Sequence, residues 1–346
     1  MKKKIVIITL PLLLIITLVV YLNKNSQTPT GPILFEGATM GTSYHIKVIP
    51  TRGTQIDAKV VSEKIIERLD DIDHLMSTYK NDSEISLFNQ HQENQWFRVS
   101  KETLNVIQAG QQVSKLSDGA FDMTIGNLVN LWGFGPTINL DSIPQQNKID
   151  ALIGQIGYQK LQLSAVPPQL LKTSLQVYLD LSAIAKGYAV DAIAKVLLNL
   201  NIEHFMVEIG GEIVTRGFKS ENNPWVIGIQ TPDAVEQSVQ KRLYLTDIAM
   251  ATSGDYRNYF EQDGVRYSHT IDPLTGHPIN HQLASVTVVS STCMLADAYA
   301  TAIMVLGPTK GMDFANKNNI AIFMIIKEGE DFTERNNELF THYLTK

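Results

Sequence analysis

The 346-residue chain is 44% hydrophobic and 18% charged, enough apolar content for the core of one large or two modest domains, which excludes a disordered or low-complexity chain. Its formal net charge is −6 and its Lys and Arg residues are scattered beyond the N-terminus, so it lacks the basic field that nucleic acid requires, and nucleic acid is excluded as a partner. The single cysteine, Cys293, leaves no pair for an internal disulfide.

The N-terminus reads Met1-Lys-Lys-Lys4 and continues as an apolar run to Leu22. A basic head before an apolar run of this length is an export signal or membrane anchor, which predicts a membrane-targeting helix over residues 1–22. No Cys follows the run, so lipid anchoring at a cysteine is excluded, and Tyr21-Leu-Asn-Lys-Asn-Ser26 lacks a small-x-small cleavage pattern. An uncleaved anchor is therefore favoured over a removed signal. The positive-inside rule keeps Lys2 to Lys4 in the cytoplasm and puts the rest outside it, in a bacterium at the periplasmic face of the inner membrane. Residues 23–32, with Asn, Ser, Thr, Pro and Gly, read as a polar linker, and the folded domain is expected over 33–346.

Tyr44-His-Ile-Lys-Val-Ile49 alternates and is rich in β-formers, which predicts a strand. Residues 57–76 carry Val60, Ile65, Ile66, Leu69 and Ile72 at helical spacing, and residues 100–116 repeat that pattern behind a capping Ser100. Gly119 is expected as the C′ residue of that second helix. Ser174-Leu-Gln-Val-Tyr-Leu-Asp180 reads as a strand entering a helix that is capped near Ser182 and reaches about Leu200, with Lys186 one and a half turns in. Phe205-Met-Val-Glu-Ile209, Trp225-Val-Ile-Gly-Ile229 and Ala284-Ser-Val-Thr-Val-Val289 are short strands, and Ala251-Thr-Ser-Gly-Asp-Tyr-Arg257 is a small polar turn. Strands cluster around a few long helices without regular βαβ alternation, which predicts an α+β fold of layered helix and sheet.

Several clusters carry chemistry. Cys293-Met-Leu-Ala-Asp297-Ala-Tyr-Ala-Thr301-Ala sets a carboxylate and a hydroxyl four residues apart, which on a helix stacks two hard oxygen ligands on one face. Such a face is either half of a magnesium site or a core helix whose Asp meets water. At Asp180 to Lys186, free amides of a helix N-terminus beside a Lys suit a phosphate or polar ligand, or belong to a capped helix with a solvated Lys. The turn Ser117-Asp-Gly-Ala-Phe-Asp122 either holds a polar ligand through its amides and Asp122, with Phe121 alongside, or simply closes the preceding helix. His269, three residues before an Asp-Pro turn, is a general base or a hydrogen-bonded strut. The common nucleotide cradles, a Walker lysine motif or a GxGxxG after a strand, do not occur.

Met40-Gly-Thr42, Ser117-Asp-Gly-Ala-Phe-Asp122 with Trp132-Gly-Phe-Gly135, Leu179-Asp-Leu-Ser-Ala-Ile-Ala-Lys-Gly-Tyr-Ala-Val-Asp191, Glu208-Ile-Gly-Gly-Glu212, Ala251-Thr-Ser-Gly-Asp-Tyr-Arg257, Ser268-His-Thr-Ile-Asp-Pro273 and Ala296-Asp-Ala-Tyr-Ala-Thr-Ala302 occur in one order. Together they closely resemble the ApbE family of FAD:protein FMN transferases over roughly residues 33–340. The resemblance implies an ApbE-like α+β fold and an enzyme that splits FAD, releases AMP and attaches FMN through a phosphodiester to a Thr or Ser of a target protein. Typical targets are subunits of membrane redox pumps of the Nqr and Rnf type. It also implies magnesium (Mg2+) held by Asp297, Thr301 and the backbone carbonyl of Ala183. The implied FAD site is lined by Met40, Tyr79, the Ala120, Phe121 and Asp122 turn, Asp180, Lys186 and Ile271, with His269 assisting catalysis. Many members carry a lipid-accepting Cys after the signal, which this chain lacks.

On this reading a bound Mg2+ neutralises the bridging phosphates, His269 or, in competition, Asp297 takes the proton of the attacking hydroxyl, and Lys186 contacts FAD or stabilises charge as AMP leaves. Two other functions compete. One is an FAD pyrophosphatase that passes FMN to water, and the other is a non-enzymatic, membrane-tethered flavin-binding protein. The metal-type pair and His269 argue against pure storage, and nothing in the sequence supplies a nicotinamide site for a redox flavoenzyme.

Overall fold

The computed structural model describes residues 31–51, 53–136, 143–231, 239–254, 259–262, 265–329 and 331–345, so the expected anchor and most of the linker lie outside the described residues. The first half forms β1 (Ile33–Thr39), β2 (Thr42–Val48), α1 (Ala58–Met76), α2 (Glu84–Gln90), β3 (Phe97–Arg98), α3 (Lys101–Leu116), α4 (Gly126–Leu131), α5 (Gln146–Ile153), β4 (Leu161–Ala165) and β5 (Pro168–Lys172). The second half adds α6 (Ala185–Asn199), β6 (Phe205–Ile209), β7 (Glu212–Arg216), β8 (Trp225–Gln230), β9 (Val239–Leu245), β10 (Ala249–Gly254), β11 (Tyr259–Gln262), β12 (Val265–Ser268), β13 (Leu283–Ser290), α7 (Cys293–Lys317), β14 (Ala321–Glu328), β15 (Asp331–Asn336) and α8 (Glu338–Thr341).

Eight strands make one antiparallel sheet in the order β1-β2-β6-β7-β10-β13-β14-β15. Alternate residues of its central strands enter different cores. Val286 and Val288 of β13 and Ile322, Met324 and Ile326 of β14 join a core with α1, α3, α6 and α7. Val289, Phe323 and Ile325 pack instead with Trp225, Ile227, Leu243 and Leu245 of the β8–β9 hairpin and with Phe340 of α8. Because neighbouring strand residues point to opposite faces, a sheet covered on both needs apolar residues at both parities, and β14 accordingly reads as an unbroken hydrophobic run from Ala321 to Ile326, while β13 carries buried Ser285 and Thr287 among its apolar residues. The result is the layered α+β architecture that the sequence predicts.

Helix boundaries follow their caps. Asp57 accepts the Lys59 and Val60 N–H groups at 3.0 and 3.3 Å, and Ser100 accepts the Thr103 N–H at 3.0 Å, so α1 and α3 start where the pattern places them. The end of α3 differs by one residue. Asp118, with φ 51°, takes the first left-handed position instead of Gly119, whose N–H donates to the Ser114 carbonyl at 2.8 Å.

Three expectations near the later cleft are overturned. Residues 174–180 form no strand: Tyr178 makes an isolated bridge to Ile125, and Leu179 is held by the Asn89 side chain, which accepts its N–H at 2.7 Å and donates to its carbonyl at 2.8 Å. One side-chain amide thus satisfies the backbone in place of a ladder. Ser182 does not cap the following helix, because a turn intervenes and α6 begins at Ala185, with Lys186 its second residue. The Ser182 N–H donates to Asp180 Oδ1 at 2.8 Å in an Asx-type turn. Residues 251–254 are the end of β10 and not a turn, with the Thr252 and Thr287 hydroxyls 2.8 Å apart across β13, while residues 255–258 lie outside the described residues.

Candidate active site

Helices α6 and α7 meet at Gly187. A Cβ there would lie 2.4 Å from the Cys293 carbonyl oxygen and 2.8 Å from Asp297 Cβ, so only glycine permits this approach. Close contact lets the two helices cap each other: the Gly187 N–H donates to Asp297 Oδ2 at 3.0 Å, and Asp191 accepts the Cys293 and Met294 N–H groups at 2.9 Å each. Each carboxylate satisfies N-terminal amides and meets the positive end of the other helix's dipole. This is how a buried Asp297 is held in one position.

Lys186 lies beside it, with Nζ 2.8 Å from Glu212 Oε1 and 3.8 Å from Asp297 Oδ1. Burial works against the ammonium, but Asp297 and Glu212 outweigh it and hold the Lys186 pKa above its ordinary value. Burial pushes Glu212 up to about 7, with Lys186 opposing and Asp297 adding to the rise. Asp297 is also raised by burial, against Lys186 and the Gly187 N–H. One ammonium thus serves two buried carboxylates, and Glu212 Oε2 has no hydrogen-bond partner among the described residues. Thr301, one turn beyond Asp297, has its hydroxyl 3.4 Å from that of Ser253 on β10.

These groups line a cleft of about 1410 Å³. Met40, Tyr79, Ala120, Phe121 and Asp122 line the same cleft, as do Asp180, Ala183, His269 and Ile271, so every site residue expected from the sequence meets in one place. Much of the remaining wall is made of turns. Met40 and Gly41 form the β1–β2 hairpin turn with φ 48° and 73°, the sign that I′-type turns require. The Tyr79 hydroxyl donates to the Phe134 carbonyl at 3.2 Å, and the His269 ring meets the Phe134 ring edge-on at 6.3 Å. Beyond His269, the Gly276 N–H donates to the Asp272 carbonyl at 2.8 Å and the Trp132 Nε1–H donates to the Gly276 carbonyl at 2.8 Å, closing the Asp-Pro turn onto α4 and its continuation.

Two carboxylates are tied into that wall. Asp122 Oδ1 accepts the Thr124 N–H and hydroxyl at 2.8 and 2.7 Å, and its Oδ2 accepts the Tyr158 N–H at 2.8 Å. Asp122 therefore shapes the cleft from behind and keeps neither oxygen spare, while burial raises its pKa against those bonds. Asp180 is anchored by its N–H, which donates to the Met123 carbonyl at 2.8 Å, and burial raises its pKa although Ser182 donates to it.

Glu212, Gly187, Ser253 and the pair His45 and Glu208 are not among the site residues expected from the sequence. Glu212 has a signal in the Glu208-Ile-Gly-Gly-Glu212 run, where Gly210 and Gly211, with φ 63° and 106°, turn β6 into β7 and bring both glutamates to the cleft. His45 has none: its Nδ1 lies 2.6 Å from Glu208 Oε2 only because β2 and β6 pair in that register.

Among the described residues no three His, Cys, Asp or Glu side chains gather as a metal-binding group. A cation beside Asp297 has to draw on hydroxyl and carbonyl oxygens as well. That hard-oxygen donor set, with a Glu212 oxygen that has no hydrogen-bond partner among the described residues on the same cleft, fits magnesium better than an ion that seeks thiolate or imidazole.

The fold has clear counterparts among solved flavin transferases. The flavin transferase ApbE from Vibrio cholerae superposes with a TM-score of 0.84 at 43% identity, covering 91% of this chain and 100% of that one. The apo form of the Pseudomonas stutzeri flavinyl transferase ApbE gives 0.83 at 38% identity, covering 90% and 96%. Residues 40–324 match the model of the ApbE family, and the chain belongs to that family. Among its relatives, the FAD:protein FMN transferase of Vibrio cholerae is 44% identical over 320 residues, 92% of this chain and 95% of that protein. The Escherichia coli K12 enzyme of the same name is 40% identical over 320 residues, covering 91% and 90%.

Proposed function

We propose that this chain transfers FMN from FAD to a Thr or Ser hydroxyl of a target protein, forming a phosphodiester and releasing AMP, with magnesium required. The observation that carries this reading is the cluster of Asp297, Thr301, Lys186 and Glu212 on a cleft large enough for a dinucleotide, in a chain of the ApbE family. The relatives' shared name, FAD:protein FMN transferase, supports the reaction class.

The chemistry that magnesium supplies when bound is neutralisation of the pyrophosphate oxygens, with Asp297, Thr301 and the Ala183 carbonyl as its holders. The acceptor oxygen bonds to the phosphorus of the FMN half as the bond from that phosphorus to the bridging oxygen breaks, and AMP departs with the bridging oxygen. His269 takes the hydroxyl proton, with Asp297 as the competing base. Lys186 stabilises the negative charge on the departing AMP. Met40, Tyr79, the 120–122 turn, Asp180 and Ile271 hold the flavin nucleotide.

The expected anchor over residues 1–22 would keep the 33–346 domain at the periplasmic face of the inner membrane, beside targets such as Nqr- or Rnf-type subunits. The test is to incubate the purified full-length chain with FAD, Mg2+ and such a subunit and to look by mass for an FMN adduct on a Thr or Ser. An adduct that depends on Mg2+ is expected. Free FMN and AMP without an adduct across several targets would replace the transferase with an FAD pyrophosphatase, and tight FAD binding without turnover would leave a flavin-binding protein.

A further inference from the structure

We propose that Glu212 belongs to the divalent-cation site, and that Lys186 holds that site's two carboxylates together until the arriving cation displaces its ammonium. The proposal rests on the reading of Asp297 and Thr301 as cation ligands. Three observations carry it. Glu212 is only 2% exposed, and while its Oε1 lies 2.8 Å from Lys186 Nζ, its Oε2 has no hydrogen-bond partner among the described residues. A buried carboxylate oxygen without a donor is strongly disfavoured unless something else satisfies it.

The charge count points the same way. Two buried carboxylates, Glu212 and Asp297, share one ammonium, so when both are ionised the cluster carries one negative charge more than Lys186 balances, and an added cation balances it. The third observation is space. Glu212 follows the Gly210-Gly211 turn, and a Cβ on Gly210 would meet Thr42 Cγ2 at 2.9 Å and Oγ1 at 3.2 Å and reach Glu212 Oε2 at 3.4 Å, so the glycine leaves the gap between the Thr42 side chain and that oxygen unfilled.

The hold of Lys186 is uneven. Its Nζ is within hydrogen-bond distance of Glu212 but 3.8 Å from Asp297 Oδ1, so the Asp297 contact is the one a divalent cation breaks first. Once the cation is seated, like charges repel and Lys186 turns toward the cleft it already lines. The same residue then serves as a structural counter-ion without metal and as a phosphate-facing cation with it.

The test is a titration of the full-length, flavin-free chain with Mn2+, with free ion followed by EPR and Mg2+ added as competitor. Glu212→Gln, which keeps the shape and removes the charge, is expected to weaken Mn2+ binding about 10- to 100-fold, in line with loss of a supporting ligand. Lys186→Met is expected to tighten binding, because it removes the competing ammonium. Wild-type affinity in Glu212→Gln, or unchanged or weaker binding in Lys186→Met, overturns the proposal. Asp297→Asn separates it from the reading beneath: if that variant loses Mn2+ and Glu212→Gln does not, Glu212 alone is rejected, whereas wild-type affinity in Asp297→Asn rejects the cation site itself. Metal-free unfolding midpoints check each fold, and should Glu212→Gln not fold, the Lys186→Met titration decides.

Discussion

The cleft has two kinds of wall. One is the α6–α7 junction with the start of β7, where Gly187, Glu212 and Asp297 are buried on regular elements and bonded to one another or to the partly exposed Lys186. The other is a set of turns around Met40, Tyr79, Phe134 and His269, joined by contacts such as the Tyr79 hydroxyl on the Phe134 carbonyl and the Phe134 ring against His269. The difference separates two tasks. Buried charge needs helix dipoles, exact partners and no freedom to move, because an unpaired ion in a low dielectric is so unfavourable. Shaping a large polar ligand needs backbone reversals, which turns with positive φ supply.

The strongest way to break this contrast is Asp297→Ala. Flavin transfer is expected to fall by roughly 1000-fold and to lose its response to Mg2+. The fold is expected to persist, because removing one of two carboxylates leaves Lys186 and Glu212 as a matched pair. Adduct mass and unfolding midpoints measure both, and wild-type transfer would remove the metal role from the helical wall. Next in size is His269→Ala, for which transfer is expected to drop on the order of 100-fold or more with FAD affinity kept. Unchanged turnover would make His269 a strut against Phe134 and leave the turn-built wall without chemistry.

Glycine replacements compare the walls directly. Gly187→Ala forces Cβ against Cys293 and Asp297 and is expected to destabilise by about 1–3 kcal/mol, with transfer reduced. Gly41→Ala meets no atom within 4 Å and carries only the strain of φ 73°, about 1 kcal/mol. Denaturant unfolding of the two variants ranks them, and an equal loss would mean that the helix contact is no tighter than the hairpin.

Acidity sharpens the contrast further. Glu212 rises from 4.5 to about 7 on folding, so the folded chain holds that proton more tightly than the unfolded one. Its contribution to stability is present in full below 4.5 and is lost as pH rises through about 7. The metal-free protein is expected to lose stability across that window, and Glu212→Gln to flatten the slope in a pH series of unfolding curves. The smallest effect belongs to Tyr79→Phe. It removes one exposed hydrogen bond to Phe134, and a change under about 1 kcal/mol in unfolding is expected.

Much of this was legible before any coordinates. The helices at 58–76 and 101–116 appear where apolar spacing and, for the second, the capping Ser100 put them, and Asp297 and Thr301 do share one helix. The errors cluster at 174–186 and 251–254. In the first segment β-rich residues are paired by the side chain of Asn89 from a distant helix, a partner that no local pattern announces. In the second a polar Thr-Ser-Gly run is drawn into β10 by its neighbours in the sheet.

Residue by residue, the sequence determined which groups are available: hard oxygens at Asp297 and Thr301, a cation at Lys186, an imidazole at His269, and glycines where a side chain would collide. The family motifs and their order are likewise written in the chain itself. The tertiary structure alone decided which charges face each other. Glu212 and Lys186 are 26 positions apart by their numbering, and Asp297 lies still further along, yet the two buried carboxylates meet the partly exposed Lys186 in one cluster because α6 and α7 pack at Gly187 beside the first residue of β7. Burial turns that proximity into chemistry, since the same carboxylates in water would neither share an ammonium nor want for another cation.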